Sequence, residues 1–178
     1  DLDAVLDIIL LRNTEYKAWS EAHEVELSPI CIWADWNLCD FGISRDVLEP
    51  IAEELSYLWE TTFFSRVLRS DAQPTLEALY NLGYRLGVIS NTSSRTQVFR
   101  TLDNYGIAHY FEYVVLSSIE GIRKPAQAIF DSALNRMGVS AGSATYVGDT
   151  LSRDVIGSKR AGFALSIQIK SFLTDEID

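Results

Sequence analysis

The sequence is poor in the residues that staple small proteins together. Only two cysteines occur in 178 residues, Cys31 and Cys39, with seven residues between them and no histidine beside either. A zinc knuckle and a disulfide framework are thereby excluded, and a reducing compartment fits. No run approaches the ~18 apolar residues that a bilayer-spanning helix requires. The first residues are acidic where a secretory leader would be basic, so the expectation is a cytoplasmic protein with no membrane role. Basic residues are scarce: 15 Lys and Arg against 25 Asp and Glu give a net charge of −10. No local Lys/Arg cluster supplies the basic face that a phosphate backbone needs, which argues against a nucleic-acid partner. Glycine and proline number only 10 and 4, and no repeat or low-complexity tract occurs. Collagenous, disordered and solenoid architectures fall away. What remains is 47% hydrophobic, 11% aromatic and 22% charged residues, the composition of an ordinary globular α/β protein. At this length roughly 70% of the unfolded surface can be buried.

From about residue 72 the chain alternates between amphipathic stretches, a glycine, and a short apolar run that ends in small polar residues. Pro74 opens a helix with Leu76, Leu79 and Leu82 at helical spacing, and Gly83 stops it. The strand Arg85 to Ile89 follows. Val98, Phe99, Leu102 and Tyr105 mark a second helix closed by Gly106, before the strand Tyr113 to Leu116. Pro125 opens a third helix through Ile129, Phe130, Ala133, Leu134 and Met137 to Gly138, before the strand Thr145 to Val147. Asp154 to Ala161, stopped by Gly162, and the β-rich run Phe163 to Ile169 complete the series. Strands joined by helical crossovers predict a doubly wound, mostly parallel sheet, whose strand-end loops share one edge. The first residues differ: Leu2, Val5, Leu6, Ile9 and Leu10, and again Val47, Ile51, Leu55, Leu58 and Trp59, recur at helical spacing. The expected organisation is a helical cap lobe over residues 1–71 and an α/β core over 72–178. Trp19, Trp33 and Trp36 are assigned to the lobe's packing rather than to a ligand cage.

Three loops at the shared edge carry the polar side chains of interest: Ser90-Asn91-Thr92, Gly121 to Pro125 with Lys124, and Gly148-Asp149 with Asp154 further on. Each alone has a plain structural use. Ser90 or Thr92 can cap a helix, Lys124 can be a solvated lysine, and Asp149 can be a turn residue. Together they place a hydroxyl, an ammonium and two carboxylates just beyond successive parallel strands. That set suits a phosphoryl group beside Mg²⁺, because spread negative charge is stabilised by hydroxyl, lysine and divalent ion, and carboxylates hold the ion.

The stretches LGVISNTSSRT, GIRKPAQAIF and YVGDTLSRDVIGSKRAGF resemble, in order and spacing, the second, third and fourth motifs of the haloacid dehalogenase-like (HAD) hydrolase superfamily. Lys124 lies 34 residues after Ser90, and Asp149 lies 25 after Lys124. The resemblance covers about residues 72 to 169. It implies a Rossmann-like core and Mg²⁺-dependent hydrolysis or transfer through an aspartyl-phosphate on a small phosphorylated metabolite. Ser90 and Lys124 would be catalytic, Ser90, Asn91 and Lys124 would bind the substrate, and Asp149 with Asp154 would bind the metal.

The family's first motif, an apolar strand ending in Asp-x-Asp with the nucleophile first, has no convincing counterpart. Asp1-Leu2-Asp3 matches in letters but reads as the start of a helix. The run Ile30 to Ala34 before Asp35-Trp36-Asn37 has Asn in place of the second acid. Because the first-motif strand lies mid-sheet in that family, its absence predicts a strand-wide gap, about 4.8 Å to each side, between the strands ending at Ser90 and Val147. The expectation is therefore that the chain is a portion of a longer polypeptide, with the nucleophile before residue 1. A phosphatase-type hydrolase is the leading reading. A phosphomutase shares nearly every site residue, a dehalogenase would have no use for paired carboxylates, and a non-catalytic phosphate- or partner-binding module would explain the missing nucleophile.

Overall fold

A computed structural model of the protein describes residues 2–63 and 67–170. Asp1, one of the two candidate nucleophiles, lies outside the described residues, as does the end of the chain beyond residue 170. The first half is helical, as its 3.6-residue periodicity predicts. Helix α1 (Leu2–His23) carries Asp3 in its first turn, where an acid favours the positive end of the helix dipole. It ends at Glu24, which takes the left-handed backbone (φ 55°) that stops a helix. Tyr16 and Ser20 are its buried residues, while Leu2, Leu6 and Leu11 in its first half stay exposed. Helix α2 (Pro29–Cys31) runs on into a π-helical stretch, Ile32–Asn37, and a 3₁₀ turn, Cys39–Phe41. Helix α3 (Arg45–Leu48) and helix α4 (Ala52–Leu58) follow, the latter continuing into a second π-helical stretch, Trp59–Phe63. Pro29, Ile32, Trp33, Leu48 and Ala52 are buried apolar residues of these elements, and the Trp33 indole N–H donates to Ser56 Oγ.

The second half alternates helix and strand. Helix α5 (Ala72–Asn81) leads to β1 (Leu86–Ser90), helix α6 (Gln97–Asn104) to β2 (Phe111–Leu116), and helices α7 (Ser117–Glu120) and α8 (Gln127–Met137) to β3 (Thr145–Gly148). A π-helical stretch, Leu151–Ile156, and helix α9 (Gly157–Arg160) lead to β4 (Leu165–Gln168). Glycines at 83, 106, 138 and 162 have positive φ, each just past a helix, as the stop signals predict. Pro125 does not open α8: Ala126 after it is non-helical (φ −52°, ψ 130°), so the helix starts at Gln127. The short α7 has no counterpart in the sequence reading, because four residues are too few to show a period.

All pairing between strands is parallel, β1 with β2 and β3 with β4. The four strands form two separate pairs, and no described strand joins β1 to β3. Val147 in β3 is 53% exposed, although a strand inside an α/β sheet is normally covered on both faces. The pairs are linked instead through one core. Val115 of β2, Ile129 and Phe130 of α8, Tyr146 of β3 and Ala161 are all buried together, with Ile89, Ile122 and Phe163 packed against them. Phe130 is fully buried and meets the Tyr146 and Phe163 rings edge-on, at centroid distances of 5.3 and 5.9 Å. A ring buried this way contributes about 1.5–3 kcal/mol by transfer alone.

Candidate active site

Parallel strands deliver their final residues to a common edge, and the polar cluster forms there. Lys124 is its centre. The side chain is only 12% exposed, and its ammonium has three acceptors for its three protons: Asp154 Oδ1 at 2.7 Å, the Ile89 carbonyl at 3.1 Å and the Tyr146 hydroxyl at 3.1 Å. One lysine thus ties the carboxyl end of β1 to that of β3 and to the stretch after it. The Lys124 backbone is held as firmly. Its N–H donates to Asn91 Oδ1 at 2.9 Å, and its carbonyl accepts from Asn91 Nδ2 at 3.0 Å.

Asp154 answers Lys124. Its side chain is 5% exposed; Oδ1 accepts from Lys124 and from the Tyr146 hydroxyl at 2.9 Å, and Oδ2 accepts the Thr150 N–H at 3.0 Å. Burial alone would lift the Asp154 pKa, but the Lys124 charge and these donors outweigh it and hold the carboxyl below its ordinary value. Tyr146 moves upward, because burial and the facing Asp154 charge both disfavour a phenolate. It stays a neutral donor. Gly148 makes this packing possible, since a Cβ there would lie 2.4 Å from Asp154 Cβ.

Asp149 sits on the loop leaving β3, half-buried, and its Oδ1 accepts from Thr150 Oγ1 at 3.2 Å. Arg153 reaches Thr150 Oγ1 at 3.3 Å and Glu21 of α1 at 3.5 Å, bringing a second cation to the same loop. Ser90 is the last residue of β1, half-buried and paired in register with Leu116. Asn91, Lys124 and Asp154 are thus joined directly, while Ser90 precedes Asn91 in the chain and Asp149 precedes Thr150, whose N–H Asp154 accepts. Two of them are engaged on both polar ends within the cluster. Asn91 spends both polar ends on the Lys124 backbone, and Asp154 spends both oxygens on Lys124, Tyr146 and Thr150.

Asp35 belongs elsewhere. Ile30 to Ala34 is helical rather than a strand, and the Asp35 carboxylate pairs with Arg45 at 3.1 Å on an exposed face. Tyr146 stands outside the polar loop residues that the sequence marks. Period-2 alternation places it on the same face as Gly148, two residues before the acidic turn, and a hydroxyl at that point of an apolar run was the available signal. Among the described residues, no group of three or more His, Cys, Asp or Glu side chains converges on a point. The described helices also include none long and apolar enough to cross a membrane.

A model of the haloacid dehalogenase-like hydrolase family matches residues 42–162. The chain belongs to that family. The human N-acylneuraminate-9-phosphatase is 32% identical over 93% of this chain and 73% of its own length. The glyceraldehyde 3-phosphate phosphatase of Methanothermobacter thermautotrophicus is 41% identical over 57% of this chain. The chain spans only 38–44% of the length of three such glyceraldehyde 3-phosphate phosphatases. In three dimensions, a HAD phosphatase from Thermococcus onnurineus superposes with a TM-score of 0.55 and 26% identity, covering 84% of this chain and 83% of that one. The split parallel sheet with helical crossovers is accordingly a HAD-like α/β fold, and the Lys124 cluster lies within the family's matched span.

Proposed function

We propose that this chain carries most of the active site of a phosphatase-type hydrolase acting on a small phosphorylated metabolite, with residues 1–71 as the cap and 72–178 as the core. The observation that carries the reading is the buried Lys124–Asp154–Tyr146 cluster, whose lysine also reaches the Ile89 carbonyl one residue before Ser90. A buried ammonium with a fixed counter-charge is pre-organised to meet an anion without paying for reorganisation. The phosphatase names of its relatives favour the same chemistry.

In this reading the Ser90 hydroxyl donates to a phosphoryl oxygen. Lys124 turns one N–H from the Ile89 carbonyl or the Tyr146 hydroxyl toward another, while Asp154 keeps the ammonium charged and in place. Asn91 fixes the backbone from which Lys124 extends. The carboxylate that attacks phosphorus is carried by a strand seated between β1 and β3, from outside the described residues; it forms an aspartyl-phosphate as the ester P–O bond breaks and the alcohol leaves, and water then cleaves the acyl phosphate to release phosphate and restore the carboxylate. Val147 and the free edges of the two strand pairs are what such a strand would cover.

The donor set fits Mg²⁺ in part. Magnesium usually takes one or two carboxylates together with substrate oxygens and water, and Asp149 offers one hard oxygen ligand beside the cluster. Asp154, engaged with Lys124, would act on the metal only from outside its coordination shell. Bound there, the ion would neutralise phosphoryl charge.

The test is phosphate release from a generic aryl phosphate, with and without Mg²⁺, by this chain and by a form extended at its amino end. Release is expected from the extended form, and there Lys124→Ala and Asp149→Asn should each abolish it. Full activity in both variants would refute the site.

A further inference from the structure

A second buried polar cluster, unused by the chemistry above, lies where α1 meets the core. Glu26, 3% exposed at its side chain, follows the turn that ends α1. Its Oε1 accepts from the Tyr16 hydroxyl and its Oε2 from Ser117 Oγ at 2.9 Å. Ser117, the first residue of α7, in turn accepts the Thr92 N–H at 2.9 Å. Arg123, 7% exposed, donates to Ser20 Oγ and stands 3.6 Å from both Glu26 Oε2 and Glu21 Oε1, while its Nε has no partner. Backbone bonds close the joint: Glu26 N–H to the Gly121 carbonyl and Arg123 N–H to the Glu24 carbonyl, both 3.1 Å, flank the Val25–Ile122 bridge.

Burying a carboxylate and a guanidinium together is costly, and an apolar pair of the same volume serves stability as well or better. Burial indeed pushes the Glu26 carboxyl upward, against the opposing pull of Arg123, Tyr16 and Ser117. What the pair does supply is position. Thr92 lies two residues beyond Ser90, and Arg123 immediately precedes Lys124, so the two loops anchored by Glu26 are the two that present the phosphoryl-binding groups. We propose that Glu26 is a positioning residue: through Ser117 and Arg123 it sets the Ser90–Thr92 loop and Lys124 against helix α1, so that one buried pair aligns the helical half with the phosphoryl-binding groups. The proposal rests on the reading of Ser90 and Lys124 given above.

Amide hydrogen exchange and steady-state kinetics on Glu26→Ala, Glu26→Gln and Ser117→Ala, in the whole protein, test it. Glu26→Ala should speed exchange of the Thr92 and Lys124 amides at least about tenfold beyond any change in β4. It should also lower kcat for an aryl phosphate on the order of 10–100-fold, the cost of misplacing groups by about an ångström. Ser117→Ala should reproduce the effect at Thr92 and leave Lys124 protected. Glu26→Gln, which keeps volume and an acceptor, should restore most of the protection. A merely structural role would speed exchange evenly along the chain and leave kcat of the folded fraction unchanged, and that result would overturn the proposal. Local exchange changes in a form extended at the amino end that still releases no phosphate would sink the phosphatase reading and leave the Glu26 link standing. Should the alanine variant fail to fold, unchanged Thr92 exchange in Ser117→Ala decides against the link by itself.

Discussion

Replacing Asp154 with Asn removes one charge from a nearly isosteric side chain. In the native protein the Lys124 ammonium and the Asp154 carboxylate are 2.7 Å apart, with side chains 12% and 5% exposed. The variant leaves the ammonium buried without a counter-ion, and the new amide must also point its NH₂ at Lys124 and Tyr146 or at the Thr150 N–H, all of which donate to Asp154 in the native protein. Removing one partner of a buried pair costs about 3–5 kcal/mol. For a protein of this size that lowers Tm by roughly 6–20 °C. The dependence on pH has a definite sign. The folded-state pKa of Asp154 is depressed, so its contribution is complete above the unfolded-state value of about 4 and is lost as pH falls through the folded value. Thermal unfolding followed by circular dichroism should therefore show wild type and variant far apart at pH 7 and converging below about pH 4. Exchanging both residues for apolar ones of similar size should recover much of the loss. A variant that melts within about a degree of wild type at pH 7 would refute the argument, since it would mean that the charge pair is solvated or unformed.

Two further outcomes follow from the packing. Gly148→Ala places a Cβ 2.4 Å from Asp154 Cβ, so it should destabilise by about 1–3 kcal/mol in denaturant unfolding and reduce phosphate release together with it; a neutral substitution would show that Asp154 can shift without consequence. Phe130→Ala empties the centre of the core shared by the two strand pairs and should cost about 3–5 kcal/mol by urea unfolding. A loss below about 1 kcal/mol would mean that α8 does not hold the pairs together.

The order of helices and strands after residue 72 was legible because it rests on short-range rules. Apolar residues three and four apart fix a helix face, and a glycine free to take positive φ ends it; Gly83, Gly106, Gly138 and Gly162 all do so. Tertiary packing adjusted the details. Pro125 has the chemistry of a first helical residue, yet Ala126 after it is non-helical and α8 begins only at Gln127. The missing first motif predicts a break in the sheet, and the described strands form two separate pairs, β1 with β2 and β3 with β4.

The sequence by itself determined which polar residues follow the ends of successive strands, since parallel strands joined by helices all point their carboxyl ends the same way. Only the tertiary structure decided how those residues are used. Asp154 reads as a metal ligand from its spacing to Asp149, but it becomes the counter-ion of Lys124. Asn91 reads as a substrate contact, but it becomes a clamp on the Lys124 backbone. Glu26, 98 residues from Lys124 along the chain, has no motif at all. The reason is physical: a side chain's chemistry is local, but desolvation, counter-charge and hydrogen-bond partners come from whatever the fold packs against it, and residues far apart in sequence supply them.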